Sequence, residues 1–293
     1  MTARTNNDTA NKDTATPEAV EVLQPMGGGE AAAYQRLRAH LDVLRLAAAA
    51  GSLSAVLDAA RAEDLSLIAA MERLLAVEVD AVETRRHAGL LRFASLPAPY
   101  RIADFDFSAQ PGVDEKLIRE LASLRFLDDA GNVLLVGQPG TGKTMIAIGL
   151  ARAAVQAGHR VYFTTAADLV KRCRRAALEG RWATAMRFFA GPRLLVIDEF
   201  AYARHSPDPE ANTALFEVIS RRYLKSSTIV TSHAGIASWG ERLADPMLAA
   251  SLLDRLLHRG IVVAIDGPSY RMRAHQQRTD QLRKAINAPA ATT

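Results

Sequence analysis

The chain has very little cysteine and no long apolar run. Its 293 residues include one cysteine, Cys173, which excludes an internal disulfide bond and a zinc site built from paired cysteines. No stretch approaches the roughly 18 consecutive apolar residues of a membrane span. The polar amino-terminal end also lacks the hydrophobic core of a signal peptide. We therefore expect a cytoplasmic protein that has no membrane partner.

The overall composition is that of an ordinary globular protein. Hydrophobic residues make up 49% of the sequence and charged residues 23%, both typical of soluble domains. A length of 293 residues is enough for one or two domains with a substantial core. The formal net charge of +4 permits a polyanionic partner such as DNA without requiring one.

A glycine-rich stretch, residues 137–144, matches the pattern G-x-x-x-x-G-K-[ST] of a phosphate-binding loop. The apolar run 133–136 before it is typical of a buried strand, and a helical pattern from Lys143 to about Gly158 follows. A glycine-rich turn that matches by chance is the alternative, which the flanking strand and helix disfavour. We expect the whole loop to contribute to the site: Gly137, Gln138, Pro139, Gly140, Thr141, Gly142, Lys143 and Thr144.

The loop predicts binding of a nucleoside triphosphate, with ATP and Mg²⁺ as the expected ligands. Its backbone N–H groups and the start of the helix point at phosphate oxygens. Lys143 adds a positive charge, and the hydroxyl of Thr144 is placed to bind the Mg²⁺.

An acidic pair, Asp198 and Glu199, follows the apolar run 194–197. Because ligands bind at the carboxyl ends of parallel strands, we expect Asp198 to hold the Mg²⁺ together with Thr144. Glu199 is the expected general base, which takes a proton from the attacking water. A solvated strand end is the alternative. The pair therefore predicts that ATP is hydrolysed as well as bound.

Composition and patterning divide the chain into four segments. Residues 1–30 are polar and close with a run of glycines, so we expect a disordered tail. Residues 31–96 have the apolar spacing of helices and predict a small all-α domain. After a Pro-Ala-Pro break, residues 97–275 predict an α/β domain, and residues 276–293 a basic carboxyl-terminal tail.

The positions of single elements follow from the same patterns. In the first domain we predict a helix from Tyr34 that ends at Gly51, a short helix over 53–60 and a third from Ile68 toward Leu91. In the second domain, strands and helices alternate, as in a parallel α/β sheet. Two later helices are predicted, from about Asn212 to Tyr223 and from Asp245 to Arg259. The five predicted strands are 132–136, 161–165, 193–198, 227–232 and 261–265.

An ordered set of short motifs gives the chain a family resemblance. From Asp104-Phe105-Asp106-Phe107 and Gln110-Pro111-Gly112 to Ser269-Tyr270-Arg271, it resembles the IstB-type AAA+ ATPases that help insertion-sequence transposases, relatives of the DnaC-type helicase loaders. The match runs along most of the chain. Other matching motifs are Thr164–Val170, Thr231-Ser232, Trp239 and Leu253-Asp254-Arg255-Leu256.

The resemblance implies an AAA+ fold, a preceding helical domain and roles for two arginines. Arg255 matches the arginine finger, which reaches the γ-phosphate of the neighbouring subunit; a surface ion pair with Asp254 is the alternative. Arg271 matches the sensor arginine that detects the γ-phosphate within one subunit. Because few residues follow the last strand, the helical lid is expected to be reduced or absent.

One departure from the family pattern affects the expected catalysis. The family has Asn after Thr-Ser at the end of the fourth strand, where it orients the attacking water, and this chain has His233. An imidazole donates a hydrogen bond, but its charge varies near neutral pH. We expect slower hydrolysis, or Ser232 in the orienting role.

Three basic clusters are candidates for contact with DNA. Contact with phosphates is independent of sequence and needs only cations along a path. Because no helix-turn-helix or zinc pattern is present, we expect little base readout, and a solvated face is the alternative for each cluster. The first cluster is Lys171, Arg172, Arg174 and Arg175; the second is Arg221, Arg222 and Lys225; the third is Arg271, Arg273, Arg278, Arg283 and Lys284.

Three functions agree with these observations. The first is an ATP-dependent helper of an insertion sequence, which assembles on DNA as an oligomer and assists its transposase. The second is a DnaC-like replicative helicase loader, a similar machine with another protein partner. The third is a nucleotide-gated DNA-binding scaffold with negligible turnover. The helical domain has no recognisable helicase-binding signature, which favours the first.

Overall fold

The computed structural model describes residues 28–200, 209–243 and 245–272, together with 276, 278–280 and 283. The chain folds as two units, of which the first ends at Ala81 and the second begins at Val82. The tail predicted for 1–30 lies outside the described residues except for its last three, which are helical. In the described part of the chain, no helix is long and apolar enough to cross a membrane.

The first unit is helical, as the sequence predicts. It contains α1 (Gly28–Val43), α2 (Ala47–Ala62) and the first part of α3 (Leu67–Ala94). A small core joins these helices, and Leu74 of α3 packs against it. The buried residues of this core are Leu41, Ala49, Ala50 and Leu53.

The first helix does not end where the sequence predicts. Gly51 lies inside α2, and the break comes earlier, where Arg45 has a φ of 61°. α2 begins here because Glu78 of α3 is buried and its carboxylate accepts hydrogen bonds from the N–H groups of Ala48 (2.8 Å) and Ala49 (3.0 Å). A negative charge at this end also interacts favourably with the helix dipole. The cap comes from another helix, so local sequence does not reveal it.

The second unit is an α/β domain, and its strands agree with the predicted ones to within one residue. Two short helices, α4 (Glu115–Ala122) and α9 (Trp239–Arg242), accompany the main alternation. That alternation runs β1 (Asn132–Gly137), α5 (Lys143–Gln156), β2 (Val161–Thr165), α6 (Ala166–Leu178), α7 (Trp182–Ala190), β3 (Leu194–Asp198), α8 (Pro209–Arg222), β4 (Ser227–Ser232), α10 (Pro246–Leu257) and β5 (Gly260–Ile265).

The five strands form one parallel sheet in the order β2-β3-β4-β1-β5. β4 therefore lies between β1, which leads into the phosphate-binding loop, and β3, which ends at Asp198. Leu135 of β1 pairs with Thr231 of β4, and Val196 of β3 pairs with Ile229. This order brings the end of β4 between the loop and Asp198.

The central strands are buried on both faces, which explains their continuous apolar sequences. In β1, Val133 and Leu135 pack in the layer that contains α5, whereas Leu134 packs in the opposite layer with α6, α8 and α10. The helix α10 begins as predicted, because Asp245 accepts a hydrogen bond from the N–H of Leu248 (2.9 Å). Helices thus cover both faces of the sheet, and the carboxyl ends of its strands remain available to form a site.

Arg222, at the end of α8, is fully buried and structural. Its Nη1 donates to the carbonyl oxygens of Phe189 (2.9 Å) and Pro192 (3.0 Å), and its Nε donates to Thr228 Oγ1 (3.1 Å). Nη2 donates to the carbonyl of Ser227. The guanidinium therefore joins the end of α7 to the start of β4. The prediction that Arg222 belongs to a DNA-facing cluster is wrong, because no part of this charge is available to a phosphate.

Replacing Arg222 with Met should lower the free energy of unfolding by about 3 kcal/mol, because several buried carbonyl groups lose their donors. The matched control is Arg221→Met on the same helix. Arg221 is exposed and pairs with Glu217 one turn away, so this change should cost less than about 1 kcal/mol. Urea unfolding followed by circular dichroism measures both. Equal losses for the two variants would contradict the structural role of Arg222.

Candidate nucleotide-binding site

The phosphate-binding loop joins β1 to α5 in a conformation that needs glycine. Gly140 and Gly142 have φ values of 85° and 97°, in a region that residues with a Cβ rarely adopt. A Cβ on Gly142 would also lie 2.5 Å from the ring of Phe105. α5 begins at Lys143, directly after the loop. Its unpaired N–H groups and positive dipole end therefore face the loop, which makes it an anion-binding turn.

Lys143 is buried within this loop. Its ammonium donates a hydrogen bond to the carbonyl oxygen of Gln138 (2.6 Å). Burial lowers the pKa of Lys143, the Asp198 carboxylate opposes this shift, and the Arg271 guanidinium adds to it. A bound polyphosphate would offset the cost of burying this charge. The position and environment of Lys143 are those expected of a phosphate-binding lysine.

Asp198 ends β3 and lies against the start of α5. The hydroxyl oxygen of Thr144 is 3.0 and 3.2 Å from its two carboxylate oxygens, and the hydroxyl of Thr231 donates to one of them. A hydroxyl and a carboxylate are hard oxygen ligands of the kind Mg²⁺ prefers. Since the described residues include no group of three acidic, His or Cys side chains that could hold a metal, phosphate oxygens and water would supply the other ligands. Thr144 and Asp198 therefore fit a nucleotide-bound Mg²⁺.

Glu199 is exposed and has an unusual backbone conformation. Its φ is 56°, which is uncommon for a residue with a side chain. The conformation is held by a hydrogen bond from its N–H to Thr231 Oγ1 (2.9 Å). Strained residues of this kind cluster at functional sites. The backbone of the expected general base is thus fixed by a residue of the neighbouring strand.

Thr231 is the residue that reasoning from sequence missed. It was recognised only as part of a matching motif, yet its hydroxyl contacts both acidic residues, donating to Asp198 and accepting from the N–H of Glu199. The only sequence signal was a hydroxyl at the end of a buried strand.

The two candidates for orienting the attacking water follow Thr231 in the sequence. Ser232 is the last residue of β4, and His233 comes directly after the strand. The Ser232 hydroxyl is buried, donates to the carbonyl of Ala234 (2.8 Å) and accepts from the Ala234 N–H (3.1 Å). Ser232 would orient water only after breaking the bond it donates. His233 is half-buried and lies in the turn after the strand.

Arg271 lies at the nucleotide pocket, as expected of the sensor arginine. It lines a cavity of about 370 Å³ together with loop residues 140–145 and Tyr100. The segment that carries it contacts the loop, because the N–H of Tyr270 donates to the carbonyl of Gly140 (2.9 Å). Gln110 holds the same segment, donating from Nε2 to the carbonyl of Pro268 (2.7 Å). The residues after β5 thus close one side of the pocket.

Arg255 is not among the residues that line this cavity. Its guanidinium lies 4.7 Å from the centroid of the Phe216 ring, and Nη1 donates to the carbonyl of Ser251 (2.9 Å). The side chain is half-buried on α10. Within one chain, hydrogen bonds join the start of α5 to Asp198 and to the end of β4, and Arg271 lines the cavity at the loop. Arg255 takes part in neither arrangement.

The first basic cluster is exposed on α6. Arg172 is held in place, since its guanidinium stacks 3.6 Å from the centroid of the Phe188 ring and Nη1 donates to Tyr162 Oη (3.2 Å). Lys171 makes no ion pair with any other described residue. Both line a surface groove of about 450 Å³ between α6 and α7. The exposed basic residues of α6 are Lys171, Arg172, Arg174 and Arg175.

Part of this positive charge is neutralised locally. Arg174 Nε lies 3.2 Å from Glu210 Oε2, and Arg175 Nε lies 3.1 Å from Glu179 Oε1. Hydrogen bonds from Arg181 and Arg175 hold the pKa of Glu179 below its usual value. Four cationic side chains and two carboxylates, those of Asp168 and Glu179, therefore line the groove.

The other two clusters are more dispersed. Lys225 is exposed, and Arg278 and Arg283 are exposed and helical. Arg273 and Lys284 lie outside the described residues. Arg271 belongs to the nucleotide pocket.

Comparisons with solved structures agree with this fold. AMPPCP-bound DnaA from Aquifex aeolicus is similar with a TM-score of 0.50 and 18% identity, over 64% of this chain and 56% of that one. DnaI is similar with a TM-score of 0.50 and 14% identity, over 57% of this chain and 92% of that one. At such low identity the likeness is one of fold alone, and it agrees with the expected α/β architecture with a five-stranded parallel sheet.

Comparisons of sequence identify the family. The putative ATP-binding protein of insertion sequence IS5376 from Geobacillus stearothermophilus is 40% identical over 82% of this chain and 94% of its own length. That of IS232 from Bacillus thuringiensis subsp. berliner is 34% identical over 83% and 96%. A model of the IstB-like ATP-binding proteins matches residues 39–278. The phosphate-binding loop and the acidic pair after β3 agree with these matches. The chain belongs to the family of IstB-like ATP-binding proteins of insertion sequences.

Proposed function

We propose that this protein hydrolyses ATP with Mg²⁺, assembles on DNA in its ATP-bound state and assists the transposase of an insertion sequence. The proposal rests mainly on one observation, the hydrogen-bonded group of Thr144, Asp198, Thr231 and Glu199 beside the phosphate-binding loop. A site that only bound nucleotide would not need a strained acidic residue next to the metal-binding carboxylate. We include a transposase as the partner because the relatives are named as ATP-binding proteins of insertion sequences.

In the proposed reaction, the loop N–H groups and Lys143 bind the phosphates of ATP. Thr144 and Asp198 would hold the Mg²⁺, which would neutralise phosphate charge. Water forms a bond to the γ-phosphorus as the bond to the bridging oxygen breaks, and the Glu199 carboxylate takes the proton of that water. Arg271 detects the γ-phosphate from the same chain.

Thr231 is proposed as a positioning residue for this reaction. By donating to Asp198 and accepting from the Glu199 N–H, its hydroxyl fixes the distance between the metal-binding group and the base. Residues that hydrogen-bond to a metal ligand orient that ligand and tune how strongly it binds the metal.

We propose that DNA binds at the surface groove between α6 and α7. Lys171, Arg172 and Arg181 are cationic groups on its surface, and the groove has no base-reading device, so the binding should depend on salt rather than on sequence. The stacked and hydrogen-bonded Arg172 is already ordered, which lowers the entropy cost of binding a phosphate.

Replacing Glu199 with Gln should leave ATP binding intact and lower the hydrolysis rate by about 10²- to 10⁴-fold, because the amide cannot accept a proton. Assemblies on DNA should last longer, since the ATP state persists. Phosphate release and fluorescence anisotropy of labelled DNA measure the two effects. Hydrolysis at the wild-type rate would remove Glu199 from the mechanism, and a wild type without turnover would favour a nucleotide-gated scaffold.

Replacing Thr231 with Val, which has a similar shape, should reduce hydrolysis by about 10- to 100-fold and raise the Mg²⁺ concentration that half-maximal turnover requires. Thr231→Ser is the matched control, because it keeps the hydroxyl, and it should restore most of the activity. The readout is the Mg²⁺ concentration needed for half-maximal turnover. If Val and Ser behave alike, packing rather than hydrogen bonding explains the residue.

Replacing Arg255 with Ala should preserve ATP binding and reduce hydrolysis by about 10³-fold or more, if the arginine completes the site of a neighbouring subunit. Arg259→Ala is the matched control on a nearby exposed arginine, and it should hydrolyse normally. Mixing Arg255→Ala with Glu199→Gln should restore part of the activity, because some interfaces then contain one intact Arg255 and one intact Glu199. Absence of complementation, with a fully active monomeric wild type, would make Arg255 an ordinary surface residue.

A further inference from the structure

The side chain of Arg255 is held in place without an acidic partner. Its guanidinium lies 4.7 Å from the centroid of the Phe216 ring, and its Nη1 donates to the carbonyl oxygen of Ser251 (2.9 Å), one turn earlier on α10. No ion pair joins it to Asp254 or to any other acidic side chain among the described residues. Its charge and most of its N–H donors are therefore available to an anion.

The ring that contacts Arg255 lies on a helix whose position is fixed by the fold. Phe216 is half-buried on α8 and packs against the core that covers one face of the sheet. Its neighbours Leu215 and Ile219 are buried in the same core. At the end of α8, Arg222 joins the helix to α7 and β4. The place of the Phe216 ring is therefore set without any ligand.

The backbone that carries Arg255 is fixed as well. Asn132, which is buried at the start of β1, donates from Nδ2 to the carbonyl oxygen of Leu256 (3.1 Å). Its Oδ1 accepts the N–H of Thr228 (2.9 Å). The turn into β5 is tight, because a Cβ on Gly260 would lie 2.3 Å from the Leu256 carbonyl oxygen. The torsions of the Arg255 side chain are the freedom that remains, and the aromatic contact restricts them.

We propose that Phe216 is a positioning residue for hydrolysis, which holds the Arg255 guanidinium in the orientation needed at the γ-phosphate of a neighbouring subunit. This inference rests on the role proposed above for Arg255. A cation over an aromatic ring is attracted by the face of the ring, and the attraction uses none of the N–H donors. An arginine ordered in this way loses less conformational entropy when it binds a phosphate, and it stabilises the developing charge without reorganisation.

Replacing Phe216 with Leu removes the ring and keeps an apolar side chain. In the full-length protein, ATP binding should be unchanged and hydrolysis should fall by about 10- to 100-fold, the effect expected when a catalytic group is displaced by about 1 Å. Phe216→Tyr retains the ring and should restore most of the rate. The matched control is Phe93→Leu, because Phe93 is a half-buried phenylalanine whose ring centroid lies 4.1 Å from the guanidinium of Arg160. It should hydrolyse ATP at the wild-type rate.

Mixtures of variants separate the positioning of Arg255 from a general loss of structure. In the proposed assembly, each interface joins the Glu199 of one subunit to the Arg255 of its neighbour. Phe216→Leu mixed with Glu199→Gln should therefore regain activity, because some interfaces then combine an intact Glu199 with an arginine held by its ring. Phe216→Leu mixed with Arg255→Ala should not exceed the rate of Phe216→Leu alone. Phosphate release measures both mixtures, and circular dichroism should show equal thermal unfolding for all variants.

Two results would overturn the inference. One is a Phe216→Leu variant that hydrolyses at the wild-type rate while Arg255→Ala is inactive, which leaves the proposed role of Arg255 intact. The other is a slow Phe216→Leu variant that Glu199→Gln does not complement. Normal hydrolysis by Arg255→Ala would instead refute the role of the arginine itself, and this inference with it. If the Leu variant unfolds early, Phe216→Met, which also lacks a ring, replaces it in the same assays.

Discussion

Burying the carboxylate of Asp198 requires hydrogen-bond donors, and two other elements of the fold supply them. One is the hydroxyl of Thr144 at the start of α5, and the other is the hydroxyl of Thr231 at the end of β4. Without them a buried charge would be costly. The arrangement holds the end of β3 against the phosphate-binding loop. The same Thr231 hydroxyl fixes the backbone of Glu199, so the metal-binding group and the expected base are positioned together.

The described segment after β5 closes one side of the pocket. The Tyr270 N–H bonds to the loop at Gly140, and Gln110 holds Pro268 from the other side. Gly112 fits this contact because a Cβ there would lie 1.7 Å from the carbonyl oxygen of Asp266. Arg271 is thereby kept beside Lys143, whose pKa is lowered by burial and further by the charge of Arg271. A nucleotide that contacts both would relieve the repulsion between the two cations.

The proposed contact of Arg255 with a neighbouring subunit is polar and would depend on a nucleotide, because a γ-phosphate supplies the negative charge that the arginine would neutralise. The buried Arg222 takes no part in such a contact and instead joins α7 to β4.

Features that depend on neighbouring residues could be predicted from the amino-acid sequence. These are the loop 137–144, the five strands and the start of α10 at Asp245, because turn glycines, apolar runs and capping residues act locally. Other features became visible only in the folded chain: the strand order, the hydrogen bonds of Thr231, the burial of Arg222 and the start of α2 under Glu78. In each case the partners are far apart along the chain, as Thr231 and Asp198 are. Local patterns contain no information about which distant groups a hydrogen bond will join.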